Sequence, residues 1–456
     1  MIEPSRSALL TDLYEITMLQ AYFRSGMDQI ASFELFVRKL PDRRNFLMAA
    51  GLEQVVHYLG ELHFEEEELA WLRASGRFDP AFIESLKNFR FSGDVDAMPE
   101  GTVFFPDEPI LRITAPLREA QFVESRVMNL IHYQTVVASK AARSVIAAQG
   151  RRLIDFGLRR AHGAEAALLS ARASHIAGFE GTATAIAAPM FGIPVFGTMA
   201  HSYIQAHDRE SDAFADFVRS FPDTATLLID TYDTEAAAAK VARLAQRLRQ
   251  SGVGCIKAVR IDSGELGSVA ERVRDILDAG GASDIGIFAS GNLDEYVLQS
   301  LVERGAPIDG FGVGTRMNTS NDAPYLDCAY KLVEYAGAAR RKRSTGKATW
   351  PGRKQVYRRY DEHGLMCGDC LAIHADAASG EPLLQPAMRS GTVVKPLPSL
   401  QQIRHHARSE LDRVPPYLRS LSQAVPYPVM VSEGLRALAQ QVDEQQEGSA
   451  ASESSS

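Results

Sequence analysis

The sequence predicts an α/β fold: an irregular seven- or eight-stranded α/β (TIM-like) barrel plus an α+β domain built from the N-terminal and C-terminal segments. Between residues 152 and 313, short β-rich runs alternate with helix-compatible stretches, an order typical of parallel pairing. A doubly wound sheet would also accommodate seven such strands. The barrel is favoured because polar residues follow strand after strand, and in a barrel all these strand ends meet on one rim.

Length and composition set limits on the function. The 456 residues suggest roughly two to three domains, and a hydrophobic fraction of 45% excludes a mainly disordered chain. The net charge, 49 − 57 = −8, argues against non-specific binding of nucleic acid. Four cysteines do not make a disulfide framework, so we expect reduced thiols and a cytoplasmic protein. The uncharged stretch 181–200 contains Pro189 and Pro194, which indicates helix, turn and buried strand rather than a membrane span.

The barrel elements follow from local pattern. Asp233 is a plausible N-cap for the first of three clear helices, in which Ala, Leu and Arg recur at helical spacing. The predicted helices are Thr234–Gln250, Leu266–Ala279 and Leu293–Arg304. The predicted strands are Arg152–Phe156, Gly178–Glu180, Pro194–Thr198, Thr226–Thr231, Cys255–Ile261, Ile285–Ala289 and Ile308–Val313.

The flanking segments have a different pattern. They mix helices with β-like runs, lead into the barrel through a long helical stretch, and show an antiparallel pattern after Ala336. A final segment rich in Gln, Glu, Ser and Ala predicts disorder. The predicted elements are helices Leu9–Phe23 and Leu52–Leu59, strands Ser32–Val37 and Phe104–Ile113, a helical stretch Pro116–Gln149, and strands Gln355–Tyr360 and Leu371–Ala375. The predicted domains are 1–115 with 340–439, the barrel 116–339, and a disordered tail 440–456.

Two glycine-containing turns after adjacent strands suggest a phosphate site. Glycine lets backbone amides approach an anion closely, and the loops after late barrel strands commonly bind phosphate. Either turn by itself would be read as a simple tight turn. A P-loop motif is missing, and Met317 stands where a dinucleotide fingerprint needs its third glycine. The phosphate candidates are Ser290, Gly291, Gly312, Gly314 and Thr315.

Charged residues follow the other strands. Arg159, Arg160 and Arg260 would place cations on the rim, and Asp230 and Asp262 would offer carboxylates to Mg²⁺. Any single pair among them could equally be a structural ion pair. His201 also follows a strand, although a lone histidine is most often structural.

Two other features are candidates for sites. Cys367 and Cys370 have zinc or redox spacing, but a zinc site needs about four ligands, so free thiols at a β-turn are favoured. Residues 340–359 hold nine Lys and Arg and no acidic residue. We interpret this segment as a mobile basic loop over a polyphosphate site, with an RNA-binding patch as the less supported alternative.

Several of these motifs, in this order, resemble the nicotinate phosphoribosyltransferase family over residues 9–437. Many short motifs in the correct order are far more specific than any single one. The motifs are Thr11-Asp12-Leu13-Tyr14-Glu15, Phe33-Glu34-Leu35-Phe36-Val37-Arg38, Ala49-Ala50-Gly51-Leu52-Glu53, Asp155-Phe156-Gly157-Leu158-Arg159-Arg160, Gly197-Thr198-Met199-Ala200-His201-Ser202, Val259-Arg260-Ile261-Asp262-Ser263-Gly264, Gly312-Val313-Gly314-Thr315 and Pro351-Gly352-Arg353-Lys354-Gln355-Val356.

The resemblance implies a homodimer that makes nicotinate mononucleotide and pyrophosphate from nicotinate and phosphoribosyl pyrophosphate. It implies Mg²⁺, and coupling to ATP hydrolysis through a phosphohistidine at His201. It also implies a pyridine ring held between Phe156 and Tyr14 of the partner subunit, at an active site shared between subunits.

The resemblance further assigns roles along the rim. Catalytic roles fall to His201, Arg260 and Asp262, the last of which serves Mg²⁺ or ribose. The substrate-binding set is Tyr14, Phe156, Arg159, Arg160, Thr182, Ser202 and Asp230. The phosphate-binding set is Ser263, Gly264, Ser290, Gly291, Gly312, Gly314 and Thr315.

Three alternatives compete with this function. Similar nicotinamide phosphoribosyltransferases carry an aspartate where this chain has Ala183, and a carboxylate there would repel nicotinate. Quinolinate phosphoribosyltransferases are shorter and do not have a histidine at the position of His201. A non-catalytic binding protein on the same fold would be eroded at the rim, and these motifs are intact. The sequence therefore predicts an enzyme that binds neither nucleic acid nor membrane.

Overall fold

The computed structural model describes residues 7–344, 346–376 and 378–453 and divides the chain into two compact units. The first unit combines the residues up to 139 with those from 325 onward, and the second contains residues 140–324. The predicted boundaries at 116 and 339 both fall inside the first unit.

Helices occur in both units. Their bounds in the described residues are α1 Leu13–Arg24, α2 Leu52–Glu61, α3 Glu66–Ala74, α4 Pro80–Leu86, α5 Leu117–Phe122, α6 Glu124–Ala148, α7 Ala164–Ala177, α8 Ala187–Phe191, α9 His201–Gln205, α10 Glu210–Ser220, α11 Thr234–Ser251, α12 Leu266–Ala279, α13 Glu295–Glu303, α14 Thr315–Asn318, α15 Leu400–Arg413 and α16 Glu433–Glu453. Short 3₁₀ turns are formed by Leu158–Arg160 and Pro416–Arg419.

Strands are also found in both units. Their bounds in the same part of the chain are β1 Ile30–Val37, β2 Leu47–Met48, β3 Asp94–Ala97, β4 Val103–Phe104, β5 Pro109–Pro116, β6 Arg152–Asp155, β7 Gly181–Thr182, β8 Ala225–Leu228, β9 Ile256–Ile261, β10 Gly286–Ser290, β11 Gly310–Val313, β12 Cys328–Tyr335, β13 Ala338–Ala339, β14 Lys354–Tyr360, β15 Met366–Ile373, β16 Glu381–Pro382, β17 Gln385–Arg389, β18 Thr392–Val393 and β19 Val429–Val431.

The first unit is built on a seven-stranded sheet in the order β13-β12-β1-β5-β3-β17-β18. β1 is central: it pairs antiparallel with β5 and β12, and all but its first residue are buried. The ring of Phe33 on β1 stacks on Tyr330 of β12 with centroids 5.0 Å apart. A second sheet has the order β16-β14-β15-β19. The first unit therefore joins both ends of the chain through hydrogen bonds between distant strands.

The second unit is a parallel half-barrel with the strand order β7-β6-β11-β10-β9-β8. Residues at the ends of strands also begin two of its helices: Asp233 caps α11 by accepting from the amide of Ala236, and Glu265 caps α12 by accepting from Ser268. The register places Ser290 opposite Gly312, and Asp155 opposite both Val313 and Thr182. The strand ends that carry polar residues therefore lie side by side.

The predicted alternation of strands and helices in the second unit is confirmed for most elements. The strand predicted at Gly178–Glu180 lies instead at Gly181–Thr182. The strand predicted at Pro194–Thr198 is wrong, because this segment makes only one bridge, from Val195 to Thr182. Pro194 has no backbone N–H to donate, which works against a ladder there. In the described pairings, β7 and β8 are the two ends of the row.

The basic segment 340–359, which the sequence suggested to be a mobile loop, is a loop only in part. Part of it forms β14, where the wholly buried Arg358 lies 2.6 Å from Asp369 and 3.2 Å from Glu410. We name these three residues the buried ion cluster. Lys354 is also buried, with its Nζ 2.8 Å from a carboxylate oxygen of Glu34. Both cations are neutralised inside the first unit, and therefore they do not contribute to a solvated basic surface.

Two further expectations are corrected. Helix α16 runs to Glu453 through most of the segment predicted to be disordered, and residues 454–456 lie outside the described chain. Cys367 and Cys370 lie on β15 rather than in a turn, and both thiols are free. Among the described residues, no cluster of three or more His, Cys, Asp or Glu could hold a metal ion. Nor does any helix in this part of the chain have the length and apolar character to cross a membrane.

Candidate active site

The ends of β8, β9 and β10 bring four polar side chains together. The guanidinium of Arg260 donates to Ser290 Oγ at 2.8 Å, to Asp262 Oδ1 at 2.9 Å and to Thr198 Oγ1 at 3.2 Å. Ser290 also donates to Asp262 through a short hydrogen bond. We name Arg260, Asp262, Ser290 and Asp230 the rim cluster. Its cation is fixed in direction by three acceptors, so its position does not depend on a ligand.

Asp230 organises the loop after β9. Its Oδ2 accepts from the backbone N–H of Asp262 at 2.8 Å and from the hydroxyl of Ser263 at 2.7 Å. The side chain is only 1% exposed, yet Oδ1 has no hydrogen-bond partner among the described residues. A buried carboxylate oxygen without a partner is costly unless a ligand or ion satisfies it.

The carboxyl group of Asp262 is held in its ionised form. Burial would raise its pKa, but hydrogen bonds from Ser290 and Arg260, together with the positive charge of Arg260, hold the pKa below its usual value. Since one third of this side chain is exposed, a charged carboxylate is available to a ligand at neutral pH.

His201 is the first residue of α9 and lies beside the rim cluster. Its Nδ1 is 3.1 Å from Thr231 Oγ1, and its Nε2 is 3.9 Å from Asp230 Oδ1. The imidazole is 41% exposed, so one edge is anchored while the ring remains accessible to a substrate.

The ring of Phe156 lies directly after β6 and against the rim cluster. The guanidinium carbon of Arg260 is 5.3 Å from its centroid, and the ring of Phe288 is 6.1 Å away. Gly312 is needed for this placement, because a Cβ there would come within 2.5 Å of the Phe156 ring. A Cβ on Gly314 would come within 2.8 Å of the Phe156 carbonyl oxygen. Gly312 and Gly314, two of the phosphate candidates, thus also leave space for Phe156.

Asp155 fastens the loop that carries Phe156. Its side chain is fully buried; Oδ1 accepts from the N–H of Gly157 at 2.8 Å, and Oδ2 accepts from the hydroxyl of Thr182 at 2.7 Å. The Thr182 hydroxyl in turn accepts from the N–H of Thr184 at 3.0 Å. Thr182 is wholly buried, and its hydroxyl is hydrogen-bonded to Asp155 and Thr184 rather than available to a substrate.

The glycine turns after β10 and β11 lie on adjacent strands. Gly291 has φ of +100°, and a Cβ there would come within 2.3 Å of the Asp262 carbonyl oxygen, so only glycine fits. After it, Asp294 caps α13 by accepting from two backbone amides, and Arg316 donates to the same carboxylate at 2.5 Å. Thr315 begins α14 directly after Gly314. Gly264, in the turn after β9, also has positive φ, +84°.

The remaining candidates lie on exposed surface of their own units. Arg159 and Arg160 belong to a 3₁₀ turn after Phe156, are exposed, and form no ion pair with any residue in the described ranges. Ser202 is exposed on α9. Tyr14, on α1 of the first unit, is 46% exposed. Partial burial and two nearby carboxylates raise the pKa of its phenol, which therefore stays protonated.

Three residues of the site were not assigned by sequence reasoning. Thr198 accepts from Arg260, Thr231 contacts His201, and Asp155 holds the loop of Phe156. Thr198 and Asp155 stand inside motifs that the sequence did single out, and Thr231 is the last residue of the predicted strand Thr226–Thr231. Their position at a strand end was the available signal; the side chain each one contacts depends on the packing of separate strands.

These strand ends place a fixed cation, two carboxylates, a histidine and glycine turns beside an aromatic ring. In an α/β protein this arrangement is suited to a flat ring next to an anionic group. Three family models match successive parts of the chain. The N-terminal domain of nicotinate phosphoribosyltransferase matches residues 9–132, the nicotinate phosphoribosyltransferase family matches 151–342, and the C-terminal domain matches 373–439. The chain belongs to the nicotinate phosphoribosyltransferase family.

Individual relatives are similar over nearly their whole length. Nicotinate phosphoribosyltransferase pncB2 of Mycobacterium tuberculosis is 50% identical over 428 residues, which cover 93% of this chain and 92% of that protein. The human nicotinate phosphoribosyltransferase is 30% identical, covering 94% and 95%. A crystal structure of human nicotinic acid phosphoribosyltransferase has a TM-score of 0.85 at 28% identity, covering 95% of this chain and 99% of that one. The predicted family resemblance is confirmed.

Proposed function

We propose that this chain transfers the phosphoribosyl group of phosphoribosyl pyrophosphate to nicotinate, giving nicotinate mononucleotide and pyrophosphate for NAD biosynthesis. The observation that carries the proposal is 50% identity over 93% of the chain to a relative of that name. The rim cluster beside the ring of Phe156 supports it independently, since the reaction joins a flat aromatic acid to a phosphorylated sugar.

The chemistry needs few catalytic groups. The pyridine nitrogen of nicotinate attacks the anomeric carbon with its own lone pair, and the bond to the diphosphate oxygen breaks with its electrons leaving on that oxygen. No proton has to be removed from the nucleophile, so no general base is required. The protein must hold the ring, stabilise positive charge on the sugar and accept negative charge on the diphosphate. Phe156, Asp262 and Arg260 are suited to these three tasks in that order.

The 5′-phosphate would bind the two glycine turns. Ser290–Gly291 and Gly312–Thr315 follow paired strands, and glycine allows close approach of backbone amides to an anion. Ser263 and Gly264, in the turn after β9, complete the proposed phosphate-binding set.

Nicotinate is favoured over nicotinamide because of the charges near the ring. Arg159 and Arg160 are exposed cations after Phe156, and Ala183 places no carboxylate at the end of β7. A cation paired with the substrate carboxylate would be left without its partner by the neutral amide, which penalises nicotinamide.

The carboxylates of the rim fit Mg²⁺. Asp230 has a buried oxygen that lacks a hydrogen-bond partner among the described residues, and Asp262 is ionised. Mg²⁺ commonly uses one or two carboxylates together with substrate phosphates, and hence needs no complete protein cage. When bound, the ion would neutralise charge on the diphosphate.

We further propose that His201 accepts the γ-phosphoryl group of ATP and later loses it to water. The histidine is exposed along one edge, is anchored to Thr231 on the other, and lies beside the rim cluster. Transfer to nitrogen breaks the bond to the β,γ-bridging oxygen and releases ADP, and hydrolysis then gives phosphate. This step needs positioning and charge neutralisation, which Arg260 can supply.

The finer architecture belongs to the same proposal. A cavity of about 480 Å³ is lined by Ile154 of β6, Val195, Thr226 of β8, Ala258 of β9 and Ile287 of β10. Residues of β6, the second strand of the row, and of β8, at the far end, therefore face one space, which supports a barrel-like curvature. We infer a cytoplasmic homodimer in which Tyr14 of the partner subunit covers the pyridine ring. The exposed phenol of Tyr14 agrees with this role.

The substrate assignment is tested with purified protein, phosphoribosyl pyrophosphate and Mg²⁺, offered nicotinate, nicotinamide or quinolinate, with and without ATP. We expect mononucleotide and pyrophosphate in equal amounts from nicotinate, and a kcat/KM for nicotinamide lower by about 100-fold or more. Comparable kcat/KM for the two pyridines, or turnover of quinolinate alone, would overturn the proposal.

The role of His201 is tested with His201→Asn, using His207→Asn as the matched control. His207 lies on the same segment, with its Nδ1 2.8 Å from the carbonyl oxygen of Tyr203. His201→Asn should abolish labelling by γ-phosphate-labelled ATP and leave slow, ATP-independent synthesis. Labelling that persists in His201→Asn, or is lost equally in His207→Asn, contradicts the assignment.

The shared site is tested by mixing two inactive proteins, Tyr14→Ala and Asp262→Ala. If Tyr14 acts on the partner's site, the mixture should regain up to about a quarter of the wild-type activity, since about half of the dimers are hybrids and one of the two sites in each hybrid is intact. The control is a single protein with both changes, mixed with itself. No rescue after confirmed subunit exchange counts against a shared site.

A further inference from the structure

Asp155 stands directly before the ring of Phe156 and belongs to none of the groups that would touch substrate. It is the last residue of β6, opposite Val313 of β11 and Thr182 of β7, so three strands meet at this position. Its side chain is fully buried. A fully buried carboxylate is uncommon and is retained only when its oxygens are hydrogen-bonded.

The two oxygens of Asp155 accept hydrogen bonds from two different segments of the chain. One accepts from the N–H of Gly157, directly after Phe156, and the other from the hydroxyl of Thr182. The backbone carbonyl of Asp155 also accepts from the N–H of Ala183 at 2.8 Å. These bonds join the loop of Phe156 to the segment Thr182–Thr184.

The surroundings leave the loop of Phe156 little freedom on its other sides. A Cβ on Gly157 would come within 2.4 Å of Asn318, and a Cβ on Gly312 within 2.5 Å of the Phe156 ring. The loop is thus packed tightly against α14 and β11. The carboxylate of Asp155 supplies the hydrogen bonds that select one position within that packing.

We propose that Asp155 is a positioning residue for the pyridine ring: its carboxylate joins the loop of Phe156 to the segment Thr182–Thr184 and so fixes the position of the Phe156 ring, on which the pyridine would stack. The inference deepens the proposed function and rests on it. Burial raises the pKa of Asp155 to about 6, while the hydrogen bonds from Thr182 and Gly157 act in the opposite direction. At neutral pH the ionised form, which can accept at both oxygens, therefore predominates.

The test measures KM for nicotinate, KM for phosphoribosyl pyrophosphate and kcat in Asp155→Asn and Thr182→Val. The amide of asparagine accepts through one oxygen only, so it cannot satisfy both donors. Asp155→Asn should raise KM for nicotinate about tenfold or more, with kcat and the KM of the second substrate within about threefold. Thr182→Val should give a smaller rise, and Thr182→Ser, which keeps the hydroxyl, should restore the wild-type value.

The double variant Asp155→Asn with Thr182→Val separates positioning from general loss of structure. If both residues act through their shared hydrogen bond, the double variant should be no worse than Asp155→Asn alone. Asp309→Asn serves as a control, since Asp309 also accepts a backbone N–H, that of Ile287 at 2.7 Å, but precedes β11 at its opposite end. It should leave the KM for nicotinate unchanged.

The outcomes are distinct. An unchanged KM for nicotinate in Asp155→Asn, or strictly multiplicative effects in the double variant, overturns the positioning role while leaving the proposed function intact. Equal loss of kcat for every substrate would also overturn it. Wild-type protein that does not use nicotinate overturns the proposed function itself. If Asp155→Asn does not fold, the comparison of Thr182→Val with Thr182→Ser decides.

Discussion

The buried ion cluster of the first unit and the rim cluster of the second both combine an arginine with two carboxylates, but they differ in how far these charges are buried and satisfied by one another. In the buried ion cluster, the side chains of Arg358, Asp369 and Glu410 are at most 5% exposed. The guanidinium of Arg358 lies 2.6 Å from the carboxylate of Asp369 and 3.2 Å from that of Glu410. In the rim cluster, Asp262 is one third exposed and Asp230 has an oxygen without a hydrogen-bond partner in the described part of the chain. Charged residues that satisfy one another stabilise a fold, whereas incompletely satisfied ones remain available to a ligand.

The buried ion cluster should give the largest effect on stability. Arg358→Met removes the only charge that the cluster directs at both Asp369 and Glu410, and an uncompensated buried carboxylate is strongly unfavourable. We expect the free energy of unfolding to fall by about 3–5 kcal/mol. Urea unfolding measures it, with Arg359→Met, an exposed neighbour on the same strand, as the control. A loss below about 1 kcal/mol would show that the buried ion cluster does not stabilise the fold as expected.

The rim cluster should give the reverse result. In the proposed reaction, Asp262→Asn would remove a negative charge near the bond that breaks, so we expect kcat/KM to fall about 100- to 1,000-fold. The midpoint of thermal unfolding should change by no more than about 3 °C, because the side chain is partly exposed. The matched control is Asp278→Asn, which alters a surface pair with Arg274. Steady-state kinetics that show similar losses in both variants would contradict the assignment.

Glu15 is a third case, a buried carboxylate that lies near a second carboxylate, Glu124. Burial raises the pKa of Glu15 to about 7, while a hydrogen bond from Gln121 opposes the rise. Since the pKa is higher in the folded state, the associated stability is full below the unfolded value, near 4.5, and is lost as the pH rises through about 7. Between pH 4.5 and 8, the free energy of unfolding of Glu15→Gln should therefore rise relative to that of the wild type by about 2–3 kcal/mol.

The measurement for Glu15 is urea unfolding of both proteins at several pH values in that window. Glu53→Gln, a change on α2 at a half-buried glutamate, is the control for general effects of removing a carboxylate. Parallel pH profiles for the wild type and Glu15→Gln would show that folding does not raise the pKa of Glu15.

The surface of the basic segment should give the smallest effect. Arg343 lies 2.7 Å from Glu447, but the two side chains are 40% and 67% exposed. Arg343→Gln should change the free energy of unfolding by less than about 1 kcal/mol and leave kcat/KM unchanged. A marked rise in KM for phosphoribosyl pyrophosphate would instead restore the sequence-based interpretation of this segment as a cover for a polyphosphate site.

The second unit was largely predictable because its signals are local. Helices α11 and α12 have a periodic pattern and caps within a few residues, and strands β9 to β11 are short apolar runs between polar turns. The two strands expected between residues 178 and 198 were mispredicted because β7 contains only two residues, too few for any periodicity. Composition could not distinguish a strand from an extended segment with one bridge there.

The site was predictable to the level of residue types but not of contacts. Strand-end position identified Arg260, Asp262 and Asp230, since parallel strands place such ends side by side. The partners of the basic segment could not be found in this way. Lys354 pairs with Glu34, more than three hundred positions earlier, and Arg358 pairs with Glu410. Only the three-dimensional pairing of distant strands shows that these charges are already neutralised.

The central position of β1 has a consequence for how the chain is made. Its neighbours β5 and β12 are separated by the entire second unit, so one edge of β1 lacks its partner until roughly 300 further residues have been synthesised. At typical translation rates that interval is about 15–60 s. The apolar sequence Ile30–Val37 therefore lacks one of its two neighbouring strands while the whole second unit is being synthesised. We expect newly made chains to depend on chaperones during this interval, and fragments that end before β12 to aggregate.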